Sequence, residues 1–220
     1  MRAASAALAV FLTIPSVVGP ALAVPASQAV AVPTPGAGPH GPASAVVDTF
    51  DTALLAVMKQ ADKLGYEGRA KELAPAIEKA FNIPLMTRII VGAPWNEWGD
   101  EQRSHIIGAF GKFIIATYAR RFDGYTGESF VNNGEKPATS GGVLVTTELL
   151  RPKDPSVTLT YLMREGDNGP QIVDVFLTGT ISELATRRSE FSAVLQQGGY
   201  QALLTALEKK TAAQAAGDGQ

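Results

Sequence analysis

Few side chains in this sequence of 220 residues are suited to catalysis. It contains no cysteine and two histidines, His40 and His105. The lack of cysteine excludes thiol nucleophiles, disulfides and thiolate-bound metals, and two imidazoles are too few for a multi-histidine site. His105 lies near the start of a predicted helix, and the sequence has no serine elbow motif that would complete a triad with it. We therefore predict no catalytic residue, no metal site and no cofactor.

Asp174 is the acidic residue with the most unusual setting. It alternates with Ile172 and Phe176 in a strand-like segment, which places its carboxylate on a face that also carries apolar side chains. A buried carboxylate needs a partner, and the nearest cations along the chain are Arg187 and Arg188. We predict a structural ion pair between Asp174 and these arginines. The alternative is an exported enzyme with Asp174 as acid or base, which would require an open cavity and a raised pKa.

Charge and the N-terminal pattern restrict partners and location. The chain has 19 Lys and Arg against 21 Asp and Glu, for a formal charge of -2, without a basic cluster suited to phosphates. Nucleic acid is therefore excluded as a partner. Residues 1–23 begin with Met1 and Arg2, continue as an apolar run and end in small residues, which is typical of a cleaved signal peptide. The run is too short for a membrane span, so we predict export.

The remaining chain divides into a leader, a folded body and a tail. Residues 24–44 contain five prolines and no charged side chain, which predicts a disordered leader. The folded domain is expected over residues 45–210. Residues 211–220 are rich in Ala, Gly and Gln, and we predict a flexible tail there.

Apolar periodicity predicts helices in the first half of the body. Spacings of three and four indicate a helix that Ser44 caps and Gly65 ends, a second helix over residues 67–81 and a short third helix. A fourth, heavily buried helix begins at Asp100. Two glycines inside it, Gly108 and Gly111, suggest close approach of another backbone or of a ligand.

The second half of the body alternates apolar and polar residues before returning to helix. Strands are predicted around residues 143–149, 157–163 and 172–178, with a weaker one over 128–131. Thr180 and Glu183 have the spacing of a capping box, and Gly198 with Gly199 interrupts the final helices. The predicted class is α+β, with a twisted antiparallel sheet of about four strands packed on helices.

A surplus of large apolar side chains lies on elements that would face one another. On pattern alone these residues form either a filled core, which is the simpler reading, or the lining of a ligand cavity. The set comprises Phe110, Phe113, Tyr118, Val145, Leu159, Tyr161, Val175, Leu177, Phe191 and Leu195.

Two blocks of sequence carry a resemblance to a known family. The first contains Phe81, Asn82, Ile83, Pro84, Met86, Gly92, Trp95, Glu101, Gln102 and Arg103. The second contains Ile172 to Val175, Gly179, Ser182, Arg187 to Phe191 and Gly198 to Leu207. In order and spacing, from Val46 to about Lys210, they resemble the toluene-tolerance family of periplasmic lipid-binding proteins, the MlaC type. Two departures, Pro170 and the turn at residues 178–180, are similar to its hopanoid-associated branch, HpnM.

The resemblance implies an apolar cavity between sheet and helices that holds the hydrocarbon of a phospholipid or hopanoid. It implies a periplasmic carrier without catalytic activity, which docks transiently on inner- and outer-membrane lipid transport proteins. The surplus apolar residues would then line the cavity. Release would need an opening, which we place around Gly108, Gly111 and residues 122–142. A further alternative is an adaptor that holds a membrane complex together and carries no lipid.

Overall fold

The computed structural model describes residues 39–217 and confirms the α+β class. The helices of the first half are α1 (Pro42–Met58), α2 (Ala61–Ala80), α3 (Ile83–Val91) and α4 (Asp100–Arg121), with a 3-10 turn at Ala93–Asn96. The strands are β1 (Ser129–Pro137), β2 (Val143–Leu150), β3 (Val157–Gly166), β4 (Gly169–Leu177) and β5 (Ile181–Ser182), and α5 (Glu183–Ala216) follows. The predicted signal peptide and most of the leader lie outside the described residues. Within residues 39–217, no helix is long and apolar enough to cross a membrane.

The strands form one antiparallel sheet in the order β1-β2-β3-β4-β5. The prediction of about four strands is confirmed, and the two-residue β5 is added. The weak first strand is longer than predicted because a bulge between Asn132 and Glu135 resets its register. Gly134 sits in the bulge with φ 86°, a conformation that suits glycine. Sequential pairing with short turns gives the predicted meander.

The start of the folded body differs from the prediction. α1 begins at Pro42, so residues 42–44, which the sequence assigned to the leader, are helical. Ser44 lies fully buried inside the helix and does not cap it. Its backbone N–H donates to the Glu135 carboxylate at 2.8 Å, a contact from a distant strand that local pattern does not reveal. α1 ends at Met58, and Gly65, with φ 60°, marks a kink within α2.

The end of the folded body also differs from the prediction. Residues 211–216 continue α5 as helix, and Gly217 ends it in a left-handed conformation with φ 86°. Arg120 donates to the Gly217 carbonyl at 3.2 Å, which ties the end of α5 to the end of α4. Alanine and glutamine are good helix formers, so the composition that suggested a tail also supports helix where packing is available.

α5 is broken into two segments that lie along α4. The break is at Gly198 and Gly199, as predicted, and Gly199 has φ 59° and ψ -146°. In the first segment Phe191 contacts Phe113 of α4, and in the second segment Tyr200 contacts His105 near the start of α4. The helix starts at Glu183, capped by Ser182 and not by Thr180 as predicted. Both segments thus pack along α4.

The two glycines of α4 have different surroundings. A side chain at Gly111 would touch Ile83 of α3 at 3.5 Å, so another helix does come close there. Gly108 is exposed, and a β-carbon built on it meets no atom within 4 Å. The expected close approach is therefore wrong at Gly108, and nothing packed against that position requires glycine.

Replacing Gly108 with alanine tests this difference. We expect Gly108→Ala to raise the free energy of unfolding by about 0.5–1 kcal/mol, because alanine lowers the entropy loss in a helix interior. The matched control is Gly199→Ala, which should destabilise by about 1 kcal/mol or more because its positive φ strains any other residue. Urea unfolding measures both variants. A destabilised Gly108→Ala protein would show that this position is packed against something.

Candidate functional site

The ten residues predicted to line a cavity all belong to one continuous hydrophobic core. Phe110, Phe113, Val145, Leu159, Tyr161, Val175 and Phe191 are buried, and Tyr118, Leu177 and Leu195 pack against them while partly exposed. The structure divides the aromatic members into two groups, one beside the middle of α4 and one near its C-terminal end. The first group lies between α4 and α5, and the second lies between the helices and the sheet.

One aromatic group joins α4 to α5. The ring centroids of Phe110 and Phe113 are 6.2 Å apart, and those of Phe113 and Phe191 are also 6.2 Å apart, in an edge arrangement. The guanidinium of Arg187 lies 5.3 Å from the Phe113 ring centroid. Arg187 therefore covers the outer side of this group through a cation–π contact.

The second aromatic group joins α1, α2 and α4 to the sheet. The site prediction missed two of its residues, Phe50 and Phe81. Phe50 lies at its centre, with ring centroids 5.2 Å from Phe81, 5.3 Å from Tyr118 and 6.5 Å from Tyr161. Phe50 was visible in the sequence only as one member of an apolar helix stripe. Its central position depends on where α1 crosses the sheet, which that stripe does not specify.

The strand members of the set form two cross-strand rows on the inner face of the sheet. Val145 pairs with Tyr161, and Tyr161 pairs with Val175, so these side chains stand side by side. Leu159 pairs with Leu177 in the next row, where its other neighbour is Thr147 of β2. These two rows are therefore apolar except for the hydroxyl groups of Tyr161 and Thr147.

The predicted ion pair of Asp174 is wrong. Its Oδ1 accepts hydrogen bonds from the backbone N–H groups of Val175 at 2.8 Å and Leu184 at 3.0 Å, and its Oδ2 accepts from the Ser182 hydroxyl at 2.6 Å. Ser182 Oγ in turn accepts from the N–H of Ala185 at 2.8 Å. The carboxylate thus satisfies unpaired N–H groups at the start of α5, where the helix dipole also favours negative charge.

The two arginines have other positions. Arg187 pairs with Glu190 at 2.9 Å and approaches Glu183 at 3.7 Å, so it remains on its own helix. Arg188 is exposed and borders two open surface depressions of about 450 and about 330 Å³ on α5 and α3. Polar and small side chains account for much of their lining, so they do not enclose hydrocarbon. Sequence proximity suggested the pair, but the direction of the helix carries both guanidinium groups away from Asp174.

A buried carboxyl group that the sequence analysis missed lies beside the second aromatic group. Asp51 of α1 is 3% exposed, and its Oδ1 accepts a hydrogen bond from the Tyr161 hydroxyl at 3.5 Å. Burial, and to a smaller extent the charge of Asp48, raise the pKa of Asp51 to about 8. Burial also raises the pKa of Tyr118 and Tyr161 above the usual range for tyrosine. This rise in pKa favours the neutral form of Asp51 near pH 7.

Asp51 had a detectable signal in the sequence. It follows Val47 by four residues and precedes Leu54 by three, so it occupies the apolar stripe of α1. An acidic residue at such a position is either paired or protonated. Within residues 39–217, no three His, Cys, Asp or Glu side chains come together as a metal site would require.

These features define an α+β protein whose sheet and helices close around an apolar interior. The chain belongs to the MlaC family, since the model for MlaC protein matches residues 48–209. Its fold is similar to that of the phospholipid-binding protein from Ralstonia solanacearum, whose structure is in complex with a phospholipid. The TM-score is 0.69 at 22% identity, over 80% of this chain and 99% of that one. No curated protein matches the chain. The resemblance to the MlaC type is confirmed, and the HpnM branch stays a prediction.

Removing the Asp174 carboxylate should destabilise the protein. We expect Asp174→Ala to lower the free energy of unfolding by about 2–4 kcal/mol, because it leaves the buried N–H of Leu184 and the Ser182 hydroxyl without their acceptor. Arg188→Ala is the control and should change this free energy by no more than about 0.5 kcal/mol. Urea unfolding measures both. Equal losses in the two variants would restore the ion-pair hypothesis.

The stability of the protein should fall with rising pH because of Asp51. An unfolded aspartate has a pKa of about 3.9, so between there and the folded pKa of about 8 only the folded state holds the proton. The stability that the protonated Asp51 gives the folded state is complete below about pH 4 and is lost as the pH rises to about 8. Asp51→Asn is neutral in both states, and should exceed the wild type by about 2–4 kcal/mol near pH 7.5.

Urea unfolding at about pH 5 and about pH 7.5 checks this prediction. The difference between Asp51→Asn and the wild type should be small at the lower pH and large at the higher one. Asp167→Asn replaces an exposed carboxylate in the turn between β3 and β4 and serves as control, with no such change. Parallel pH profiles for Asp51→Asn and the wild type would mean that Asp51 is ionised in the folded protein.

Proposed function

We propose that this protein is a periplasmic lipid-binding carrier without catalytic activity. It holds the hydrocarbon of a phospholipid or hopanoid between sheet and helices and shuttles it between inner- and outer-membrane transport complexes. The observation that carries the proposal is the continuous apolar interior between the inner face of the sheet and the helices. Membership of the MlaC family, and the phospholipid in the similar Ralstonia solanacearum structure, support lipid as the ligand.

Hydrocarbon burial is large enough to drive binding into this interior. Transfer of a chain of about sixteen carbons from water contributes about 13 kcal/mol, at roughly 0.8 kcal/mol per methylene. Opposing terms are the opening of a cavity for the chain, which costs about 24 cal/mol per Å³, and the separation of side chains that now touch. An aromatic pair contributes about 0.5–1.5 kcal/mol beyond its buried area, so the contacts around Phe50 represent a few kcal/mol. The lipid would cover the apolar side chains that it separates, so their own burial is kept while the lipid replaces part of the packing.

The entry we propose lies between α1 and β1. The contacts there are polar and partly exposed: Asn132 donates to the Asp48 carboxylate at 2.7 Å and to the Ser44 carbonyl at 3.4 Å. Bonds of this kind are weaker than a strand ladder because water replaces them readily. Separation of α1 from β1 would expose Tyr118, Tyr161 and the strand rows, which we propose as lipid-lining residues. Of the opening expected around Gly108, Gly111 and residues 122–142, this entry keeps the last segment, which contains β1, and it places α1 instead of α4 on the other side.

An enzymatic role for Asp174 is disfavoured by its contacts. Both oxygens already accept hydrogen bonds from groups at the start of α5. A general acid or base must be within reach of a substrate proton, and this carboxylate is committed to holding a helix.

Native mass spectrometry of the protein purified from its own periplasm without detergent tests the function. We expect a stoichiometric adduct that lipid extraction identifies as phospholipid or hopanoid, and either identity supports the carrier. Protein that is empty, and that takes no lipid from vesicles, would contradict the carrier and favour the adaptor alternative.

A covalent link between α1 and β1 tests the entry. Asp48→Cys with Asn132→Cys introduces the only cysteines in the chain, so a short bis-maleimide joins them specifically. We expect the linked protein to load lipid from vesicles at least about tenfold more slowly than the same variant capped with N-ethylmaleimide, because the helix cannot leave the strand.

The control link joins two neighbouring strands, which stay together whether or not α1 separates from β1. Thr146 and Thr160 pair across β2 and β3 with their hydroxyl oxygens 3.2 Å apart, so Thr146→Cys with Thr160→Cys forms a matched linked pair. Linking them should leave the loading rate unchanged. Normal loading with α1 linked to β1 would exclude this entry.

A further inference from the structure

The apolar interior contains a small polar group of side chains that the carrier function has not yet used. Asp51 of α1, Tyr161 of β3 and Thr147 of β2 are 3%, 1% and 0% exposed. Tyr161 donates to Asp51 Oδ1 at 3.5 Å, and Thr147 is close enough to the Tyr161 hydroxyl to affect the tyrosine pKa. We call these three residues the interior polar cluster.

Within residues 39–217, two atoms of the interior polar cluster have no hydrogen-bond partner at normal geometry. They are Asp51 Oδ2 and Thr147 Oγ1. Buried polar groups are nearly always paired, and an apolar residue of similar shape at either position would avoid the penalty of an unpaired one. Two such atoms beside the same tyrosine, one on α1 and one on the sheet face proposed to meet the lipid, form an incomplete hydrogen-bonding site.

The charges around the interior polar cluster indicate what could complete it. The carboxylate that acts on Asp51 is that of Asp48, and no cation within residues 39–217 forms an ion pair with Asp51. The buried Arg69 of α2 is already used, since it donates to the carbonyls of Ala119 at 2.9 Å and Ala61 at 3.3 Å. A phosphate would have no counter-charge here, whereas an uncharged oxygen needs none.

We propose that Asp51, Tyr161 and Thr147 bind an uncharged oxygen, a hydroxyl or a carbonyl, on the part of the carried lipid that lies deepest in the protein. The proposal rests on the carrier function above and specifies its ligand class. The protonated Oδ2 of Asp51 donates to that oxygen, and the Thr147 hydroxyl accepts from it or donates to it. Tyr161 holds the Asp51 carboxyl in place from the other oxygen. The charged end of the lipid stays outside.

A pair of ligands that differ in one hydroxyl tests the proposal. We choose 16-hydroxyhexadecanoic acid and hexadecanoic acid, each competing with a fluorescent phospholipid for the purified protein at about pH 7. The ionised carboxylate of either acid stays near solvent, so the terminal hydroxyl is the part that reaches the interior polar cluster. We expect the wild type to bind the hydroxylated acid about tenfold more tightly, as for one well-made buried hydrogen bond.

Variants separate recognition from packing. Asp51→Leu with Thr147→Val replaces the polar atoms by apolar ones of similar shape, and should abolish the preference while binding of hexadecanoic acid persists. Ser44→Ala is the matched control, because Ser44 Oγ is another buried atom on α1 without a partner, two turns from Asp51. It should keep the full preference. Circular dichroism checks that each variant is folded.

The outcomes distinguish this proposal from the carrier function. Equal affinity of the wild type for the two acids would overturn the oxygen site, while their binding would still support a carrier. A preference that survives in the folded double variant would also overturn it. If neither acid displaces the phospholipid but the phospholipid binds, the oxygen site is wrong and the carrier stands. If the phospholipid does not bind either, the carrier function fails and this proposal fails with it.

Discussion

The carboxylate of Asp174 connects the sheet to the helices that cover it. Because it accepts from the start of α5 while standing on β4, it sets where α5 leaves the sheet. The first segment of α5 then runs back along α4, and after the break at Gly199 the second segment returns beside it as far as Arg120. α4 is thereby held along its length, with Phe113 against Phe191 of α5 and Tyr118 against Phe50 of α1. One hydrogen-bonded carboxylate thus decides the shape of the apolar interior.

The sequence predicts those parts of the structure that depend on residues close together in the chain, and misses those that depend on distant ones. Local periodicity predicts α4, the strands β2, β3 and β4 and the break in α5, because each depends on neighbouring residues. The ends of the body are missed because they depend on distant partners: Glu135 for the start of α1 and Arg120 for the end of α5. The partner of Asp174 is missed for a related reason. Charge and proximity suggest an arginine as its partner. The backbone N–H groups at the start of a helix also need an acceptor, however, and the Asp174 carboxylate supplies it.

The candidate site shows a similar division. Hydrophobicity and alternation identify seven buried members of the core and three residues that pack against it, because burial of large apolar residues is a general rule. They do not identify Phe50 as the centre of an aromatic group, since that depends on how α1 crosses the sheet. Asp51 has a visible signal, an acid within an apolar stripe, but only the fold places it against Tyr161. Whether core residues also line a lipid depends on a change of packing that no local pattern encodes.

A carrier with a filled interior must let the lipid compete with its own packing. If α1 were held to the sheet only by apolar contacts, loading would have to break the most stable part of the core. The polar residues at this interface make the separation of α1 from the sheet easier. One carboxyl oxygen of Asp51 lacks a partner, which weakens the closed state, and water can replace the hydrogen bonds of Asn132 to α1. The same acid that destabilises the closed state would gain a partner when a lipid with an uncharged oxygen enters. Instability without ligand and preference for ligand are then two consequences of one buried carboxyl group, and a variant that removes it should become more stable and less selective together.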